Sequence, residues 1–208
     1  MLGYIIIAGV FAVVGMVVQN RLKSKFTKYG KIALEKGLSG KEVAERMLSH
    51  YGIHDVQVNQ GKGFLTDHYH PGKKVINLSP AVYQGRSISA AAVAAHECGH
   101  AVQHATAYSW LQMRSTLVPI VSFAARSQQW LLLLALGGFG AGLAQSNTLL
   151  LITIVSFAIT TLFAFITLPV EFDASKRALV WLDNSGVTAH QKEYDGAKDA
   201  LNWAAMTY

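Results

Sequence analysis

Two histidines and a glutamate in the segment His96-Glu97-Cys98-Gly99-His100 have the types and spacing of a metal-dependent hydrolase. On a helix, side chains four residues apart lie on one face about one turn from each other, so both imidazoles could bind one ion. Glu97 beside them could accept a proton from water that the metal activates. The pattern H-E-x-x-H therefore predicts a zinc peptidase. The alternative is that both histidines are buried structural residues and the glutamate is a solvent-facing charge.

The sequence before the motif supplies the helix that this chemistry requires. Ser87 and Ser89 offer hydroxyl groups for an N-cap, and the alanine-rich residues 90–95 strongly favour helix and lead directly into His96. Cys98 is expected to point away from the ligand face and to pack as a small apolar residue. The sequence thus predicts that the motif lies within one helix.

The composition of the chain indicates a membrane protein. Its 208 residues are 51% hydrophobic and only 14% charged, and the mean hydropathy is +0.28. Residues 2–18 and 149–168 are apolar runs long enough to cross a hydrocarbon core of roughly 30 Å at about 1.5 Å per residue. Residues 117–144 form a third apolar run, which Arg126 and the polar residues after it interrupt. We therefore predict a mainly α membrane protein with about three transmembrane helices and a small α+β, zincin-like catalytic core.

Basic residues after the first apolar run predict how the chain is oriented. They are Arg21, Lys23, Lys25, Lys28 and Lys31. A secretory signal peptide would carry its positive charge before the apolar run, so a retained anchor fits better. The positive-inside rule then places residues 21–116 and the tail from Glu171 on the cytoplasmic side of the cell membrane. The uncharged link 144–147 would lie on the outer side. The single cysteine, Cys98, agrees with a reducing compartment.

The net charge of +6 raises the alternative of nucleic-acid binding. The clearest basic cluster adjoins an apolar run, where membrane orientation and contact with anionic lipid explain it. The sequence contains no recognised basic-aromatic nucleic-acid module. We therefore expect the lipid bilayer and a peptide or protein substrate as partners, and no nucleic acid, while the oligomeric state is left open.

The segment between the apolar runs 2–18 and 117–144 is predicted to form a small α/β unit. Ser39 and Glu42 form a capping-box pattern that opens a helix from Lys41 to about Tyr51. Two or three short strands follow, the last of them at residues 74–78. If residues 75–78 form an edge strand, they could pair with an extended peptide substrate, and the alternative is an interior strand. Residues 188–191 form another capping pattern, which predicts a C-terminal helix.

A catalytic zinc ion usually takes three protein ligands, so the motif leaves one ligand to be found. His104 continues the four-residue spacing, but on an unbroken helix it lies about 12 Å along the axis from His96. His68 and His70, in a predicted strand or turn, are two further candidates, and the alternative for them is an ordinary loop role. Glu171 is better placed, since it follows the apolar run 149–168 on the side predicted for the motif. The alternative is that Glu171 simply marks the end of a membrane helix.

The H-E-x-x-H motif followed about 70 residues later by Glu171-Phe172-Asp173-Ala174, with an apolar hairpin between them, resembles the membrane-bound gluzincins of the HtpX and CAAX-protease type. The likeness is closest to the YugP-type neutral zinc metallopeptidases and extends over nearly the whole chain, including residues 65–69 and 168–172. The resemblance implies zinc as the cofactor, held by His96, His100 and Glu171. It also implies that Glu97 is the general base and then the proton donor.

The chain departs from the HtpX-type pattern at Ser175. That pattern has an aspartate there, which supports a histidine ligand, and either Asp173 or Ser175 could take this role here. The group that stabilises the oxyanion is also left open among four residues. These are Tyr83, Arg177, His190 and Tyr194.

We therefore predict an integral membrane zinc endopeptidase that acts on membrane-proximal or small protein substrates. Its parts would be a transmembrane helix (1–20), a cytoplasmic α+β part with the motif helix (21–116), a transmembrane hairpin (117–169) and a helical part with the third ligand (170–208). A membrane scaffold with a structural zinc site is one alternative. A zinc hydrolase that acts on non-peptide substrates is the other.

Overall fold

The structure is a computed structural model that describes the backbone of residues 2–136 and 147–207 and the side chains of residues 9–128, 130–131 and 151–207. It is about 70% helical and has one small sheet, as predicted. The helices are α1 (Leu2–Gly30), α2 (Gly40–His50), α3 (Pro80–Tyr83), α4 (Ile88–Ala105), α5 (Ser109–Leu136), α6 (Asn147–Asn184) and α7 (Gln191–Ala205). The strands are β1 (Gln57–Gln60), β2 (His68–His70) and β3 (Val75–Leu78).

The chain divides into two compact units. The first combines residues 1–106 with 171–208 and contains the sheet, α1 to α4, α7 and the last part of α6. The second, residues 107–170, contains α5 and the first part of α6, where the Gln128 amide donates a hydrogen bond to Thr160 Oγ1 (3.1 Å). Every residue of the predicted metal site belongs to the first unit.

The three strands form a mixed sheet in the order β1-β3-β2, with β3 parallel to β1 and antiparallel to β2. Ile76 and Leu78 on β3 are fully buried, whereas β1 and β2 are mostly exposed. The apolar strand therefore takes the centre and the polar strands take the edges, since the centre of a sheet is the best-covered position. The hypothesis that residues 75–78 form an edge strand for a peptide is wrong.

Helix α4 is the core of the first unit. The Ser87 hydroxyl accepts a hydrogen bond from the Ala90 N–H (3.3 Å), so the predicted N-cap is confirmed. Fifteen of the 18 residues of α4 are buried, and the helix packs against α1, α2, α3 and α7. A helix with neighbours all round needs small side chains, which the alanines provide. The motif is thus held by a rigid, buried element.

Helix α2 begins with the predicted capping box. The Ser39 N–H donates to Glu42 Oε2 (2.7 Å), and the Glu42 N–H donates to Ser39 Oγ (3.3 Å). The helix starts at Gly40, one residue before the predicted start. Val43 and Met47 lie on its buried face, fully covered, and fix α2 against α4.

The C-terminal helix is present as α7, but the capping pattern predicted for it is wrong. His190 is the N-cap, and its side chain makes no capping bond. The Thr188 hydroxyl instead donates to the Leu182 carbonyl (3.1 Å) and so caps the end of α6. Glu193 accepts a hydrogen bond from the Ala189 N–H (2.7 Å). Thr188 thus bonds to a carbonyl group at the end of α6, and not to an N–H group at the start of α7.

The apolar helices extend beyond the apolar runs of the sequence. Helix α1 continues to Gly30, and α6 continues through Pro169 to Asn184, so Glu171 lies inside a helix. Among the described residues, one stretch, Leu151–Asn184, is long and apolar enough to cross a membrane. The count of three spans stays a prediction, and residues 144–146 of the link lie outside the described part of the chain.

Gly99 allows α4 and α6 to approach closely. A Cβ atom at this position would lie 2.5 Å from the Ala174 carbonyl oxygen, closer than real contacts allow, and the atom that it would meet belongs to the backbone. Ala174, on the facing helix, is fully buried. Glycine is therefore required here by the close packing of the two helices.

We expect Gly99→Ala to lower the free energy of unfolding by about 1–3 kcal/mol, the usual effect of overpacking in a rigid core. Thermal unfolding of the purified protein measures the change. The matched control is Gly15→Ala in α1, where a Cβ atom would meet nothing within 4 Å. The control gains helix propensity and should melt at an equal or higher temperature. Equal melting of Gly99→Ala and wild type would contradict the close approach.

Candidate metal centre

His96, His100 and Glu171 form a buried cluster. His96 Nε2 lies 3.2 Å from Glu171 Oε2, and His100 Nε2 lies 3.4 Å from the same oxygen. One ligand atom from each residue falls within 4.8 Å of the others, and the three residues are 8%, 8% and 2% exposed. The structure therefore brings together the three residues that the sequence predicts, in a group that could hold a metal ion.

Two helices position these side chains. His96 and His100 are one turn apart on α4, and their rings meet edge to face with centroids 4.7 Å apart. Glu171 and Ser175 are one turn apart on α6, on the face that also presents Ala174 to α4. The contact at Gly99 thus sets the glutamate opposite the two histidines.

Glu97 is only 7% exposed, so the interpretation of this residue as a solvent-facing charge is wrong. Burial raises the pKa of its carboxyl group, and the charges of Glu171 and Asp67 add to this, while the nearby histidines oppose it. A carboxyl group with a raised pKa holds a proton more readily and can later return it. Such a group is suited to general acid–base chemistry.

The histidines lie in a pocket of negative charge. Burial lowers the pKa of His100, but its hydrogen bond to Glu171 and the charges of Glu171 and Glu97 outweigh this effect, so the pKa is raised. The same field that favours a protonated imidazole would favour a divalent cation between the residues.

Each histidine also has a partner on its other ring nitrogen. His96 Nδ1 lies 3.1 Å from Ser175 Oγ, and His100 Nδ1 lies 3.0 Å from Gln103 Oε1. Asp173 contacts Gln103, whose side-chain nitrogen donates to Asp173 Oδ2 (2.8 Å). Ser175 and Asp173 therefore both support the cluster, each toward a different histidine. Outer partners of this kind orient the rings of histidine ligands.

Sequence reasoning missed Gln103. This residue is fully buried and lies three positions after His100, a spacing that puts both side chains on the same face of α4. The spacing is a usable signal, but its meaning depends on Asp173, which is 70 residues away. Cys98 behaves as predicted: it is fully buried, and its thiol donates weakly to the Ala44 carbonyl (3.5 Å).

The other histidines considered as ligands have partners elsewhere. Burial raises the pKa of Tyr69 to about 12, and its hydroxyl oxygen lies 2.7 Å from His104 Nδ1, within hydrogen-bond distance. His68 Nδ1 lies 2.8 Å from the Thr66 carbonyl oxygen, to which it donates, and the Lys73 N–H donates to His70 Nδ1 (3.3 Å). The structure does not bring these three residues into the cluster.

The four oxyanion candidates also have contacts of their own. Arg177 Nε donates to Asp173 (2.6 Å), and His190 Nε2 lies 2.5 Å from Glu35. The Tyr83 ring lies under Lys41, 5.6 Å from its ammonium group, and Tyr194 packs against the hydrophobic core. Arg177 is the candidate that connects to the metal cluster, through Asp173 and Gln103.

Comparison with known proteins agrees with this geometry. The family model described as "Putative neutral zinc metallopeptidase" matches residues 4–208. A protein of Bacillus subtilis (strain 168), titled "Putative membrane protease YugP", is 43% identical over 190 residues, which cover 91% of this chain and 81% of that protein. No solved structure matches the chain. The match over almost the whole chain confirms the resemblance seen in the sequence, and the chain belongs to this family of neutral zinc metallopeptidases.

Proposed function

We propose that this protein is an integral membrane zinc endopeptidase in which His96, His100 and Glu171 bind the metal and Glu97 is the general base. The observation that carries the proposal is the buried cluster, in which two imidazole nitrogens converge on one carboxylate oxygen beside a second buried carboxyl group. Two nitrogen ligands and one oxygen ligand are a common set in catalytic zinc sites, which leave a fourth position for water.

The donor atoms suit zinc in their chemistry as well as their number. Both Nδ1 atoms have partners, so the Nε2 atoms are the ones that face Glu171. Neutral imidazole and carboxylate are typical zinc ligands, and a buried pocket excludes competing solvent. The family described above is a family of zinc metallopeptidases, which supports zinc over other divalent ions.

The proposed reaction is hydrolysis of a peptide bond. A bound zinc ion would lower the pKa of a water molecule and polarise the scissile carbonyl group. Glu97 takes one proton from the attacking water and delivers it to the amine as the carbon–nitrogen bond breaks. Burial of Glu97, which raises its pKa, makes the carboxylate a stronger base for the first transfer. We propose no oxyanion donor, because the four candidates have other partners.

Membrane insertion is supported by large apolar side chains that lie on the surface of the helices. Phe11 on α1 is 72% exposed, Phe123 on α5 is 76% exposed and Phe165 on α6 is 65% exposed. Exposed apolar surface of this kind marks contact with lipid or protein. We propose three spans with the basic residues after the first span, and therefore the metal site, on the cytoplasmic side of the cell membrane. A site held near the bilayer favours membrane-proximal substrates.

Replacement of Glu97 by glutamine separates the peptidase from a scaffold with structural zinc. We expect Glu97→Gln to retain stoichiometric zinc and to lose about 100- to 10,000-fold in peptide cleavage, because the amide cannot take up the proton. Zinc content and cleavage of a peptide library measure the two effects. The control is Glu45→Gln, an exposed residue on α2. Zinc binding without Glu97-dependent proteolysis would reject the proposal, and Glu97-dependent hydrolysis confined to non-peptide substrates would favour the other enzyme class.

Replacement of Glu171 by glutamine tests the third ligand. The amide is nearly the same size but neutral, so we expect zinc affinity to fall by more than about 100-fold, since the loss of an outer partner alone costs about 10- to 100-fold. Competition with a chromophoric chelator measures the affinity. The control is Asp183→Asn, an exposed residue on the same helix. Unchanged affinity in Glu171→Gln would exclude Glu171 as a ligand.

The single cysteine permits a test of orientation. Lys62 lies in the exposed segment between β1 and β2, on the side that we propose to be cytoplasmic. In a Cys98→Ala background, we expect Lys62→Cys to react with a membrane-impermeant maleimide only after lysis. Gln145→Cys, in the proposed external link, should react in intact cells. Labelling of Lys62→Cys from outside would contradict the proposed topology.

A further inference from the structure

We infer that Arg177, Asp173 and Gln103 form a hydrogen-bond chain that fixes the orientation and the tautomer of His100, which makes Gln103 a positioning residue of the metal centre. The inference rests on the proposed function only in taking His100 as a zinc ligand. Arg177 Nε donates to Asp173 Oδ2 (2.6 Å), Gln103 Nε2 donates to the same oxygen (2.8 Å), and Gln103 Oε1 lies 3.0 Å from His100 Nδ1.

The donors and acceptors of this hydrogen-bond chain can be arranged in only one way. A guanidinium group can only donate and a carboxylate can only accept, so the group of Gln103 that faces Asp173 must be its NH₂. The carbonyl oxygen of Gln103 must then face His100, and an oxygen without hydrogen requires that Nδ1 carry the proton. The lone pair of the neutral ring is therefore on Nε2, the atom that lies 3.4 Å from Glu171 Oε2.

The burial of Gln103 indicates that its amide has a role other than packing. The side chain is fully buried, and the order that burial imposes on a glutamine costs up to about 2 kcal/mol of rotamer entropy. Six of the 14 other buried residues of α4 are alanine, which carries no such cost. An apolar residue would fill this position more cheaply, so the pairing of the amide with His100 and Asp173 offsets the cost.

The contrast with His96 supports the same conclusion. His96 Nδ1 contacts the Ser175 hydroxyl, which can donate as well as accept, so this contact by itself selects no tautomer. Asp173 acts two residues before the position where the HtpX-type pattern has its aspartate, and it reaches the other histidine through the glutamine. The structure thus assigns the orienting role to Gln103 and Asp173 rather than to Ser175 alone.

Zinc affinity of the full-length protein tests the inference without any measurement of proteolysis. We expect Gln103→Met, which keeps the length of the side chain but removes both polar groups, to bind Zn²⁺ about 10- to 100-fold more weakly in competition with a chromophoric chelator. Asp173→Leu should have a similar effect. Asp173→Asn should bind closer to wild type, because an amide oxygen can still accept from Gln103 and Arg177. The matched control is Gln84→Met, which removes an amide bonded to Gln60 outside the site.

Nitrogen-15 NMR of the zinc-loaded protein tests the orientation of the ring directly. We expect His100 to bind zinc through Nε2 and to carry its proton on Nδ1, with slow exchange of that proton with solvent, in the wild type and in Asp173→Asn. In Gln103→Met and Asp173→Leu the Nδ1 proton should exchange faster, because its acceptor is lost or displaced. A merely structural role for Gln103 would lower the melting temperature but leave this exchange and the zinc affinity unchanged.

Two results would overturn the inference. One is a wild-type His100 that is protonated at Nε2, and the other is unchanged zinc affinity in folded Gln103→Met or, if that variant does not fold, in Asp173→Leu. Neither result depends on peptide cleavage. A wild-type protein and variants that bind zinc as expected here, but a wild type that cleaves no peptide, would refute the proposed function and leave this inference intact.

Discussion

The close approach of α4 and α6 at Gly99 is the constraint on which the metal centre depends. A side chain at this position would collide with the backbone of Ala174, so a residue with any Cβ atom separates the helices. Glycine inside a helix costs about 1 kcal/mol relative to alanine, and here that cost gives direct backbone contact. The contact lies between the two histidines of α4 and between the glutamate and the serine of α6. One contact therefore sets the distance between the two halves of the site.

The burial of the motif on α4 then determines how the polar groups of the site form hydrogen bonds. Water cannot reach most of them, so each must bond to another side chain. This requirement explains the partners of both ring nitrogens: each Nδ1 has a neutral acceptor or hydroxyl group, and each Nε2 faces Glu171. The residues around the histidines are thus part of the site because the helix is buried, and an exposed helix with the same motif would not need them.

The sequence predicts the elements that local spacing defines, and the family resemblance predicts the pairing of the motif with Glu171. Other contacts between residues far apart in the chain are missed. The motif helix, its Ser87 cap and the convergence of Glu171 with the histidines agree with the structure. The continuation of α6 past Pro169 does not follow from local rules, because a proline inside a helix costs about 3 kcal/mol or more. Ala174, Ala178 and Leu182 follow it at helical spacing and are all fully buried, and this tertiary burial keeps the chain helical. The central place of β3 likewise depends on which strands pair with it.

Charge balance explains why a serine can replace an aspartate beside His96. With Glu97 and Glu171 ionised and the imidazoles neutral, the pocket carries two negative charges, which one divalent cation would balance. A third carboxylate directly against His96 would leave an excess negative charge in a buried place, where an uncompensated charge is costly. Ser175 supplies a hydroxyl group without charge, and the Asp173 carboxylate is paired with Arg177 (2.6 Å). The Asp173 carboxylate thus lies outside the pocket and is neutralised by Arg177, and the buried amide of Gln103 connects it to His100.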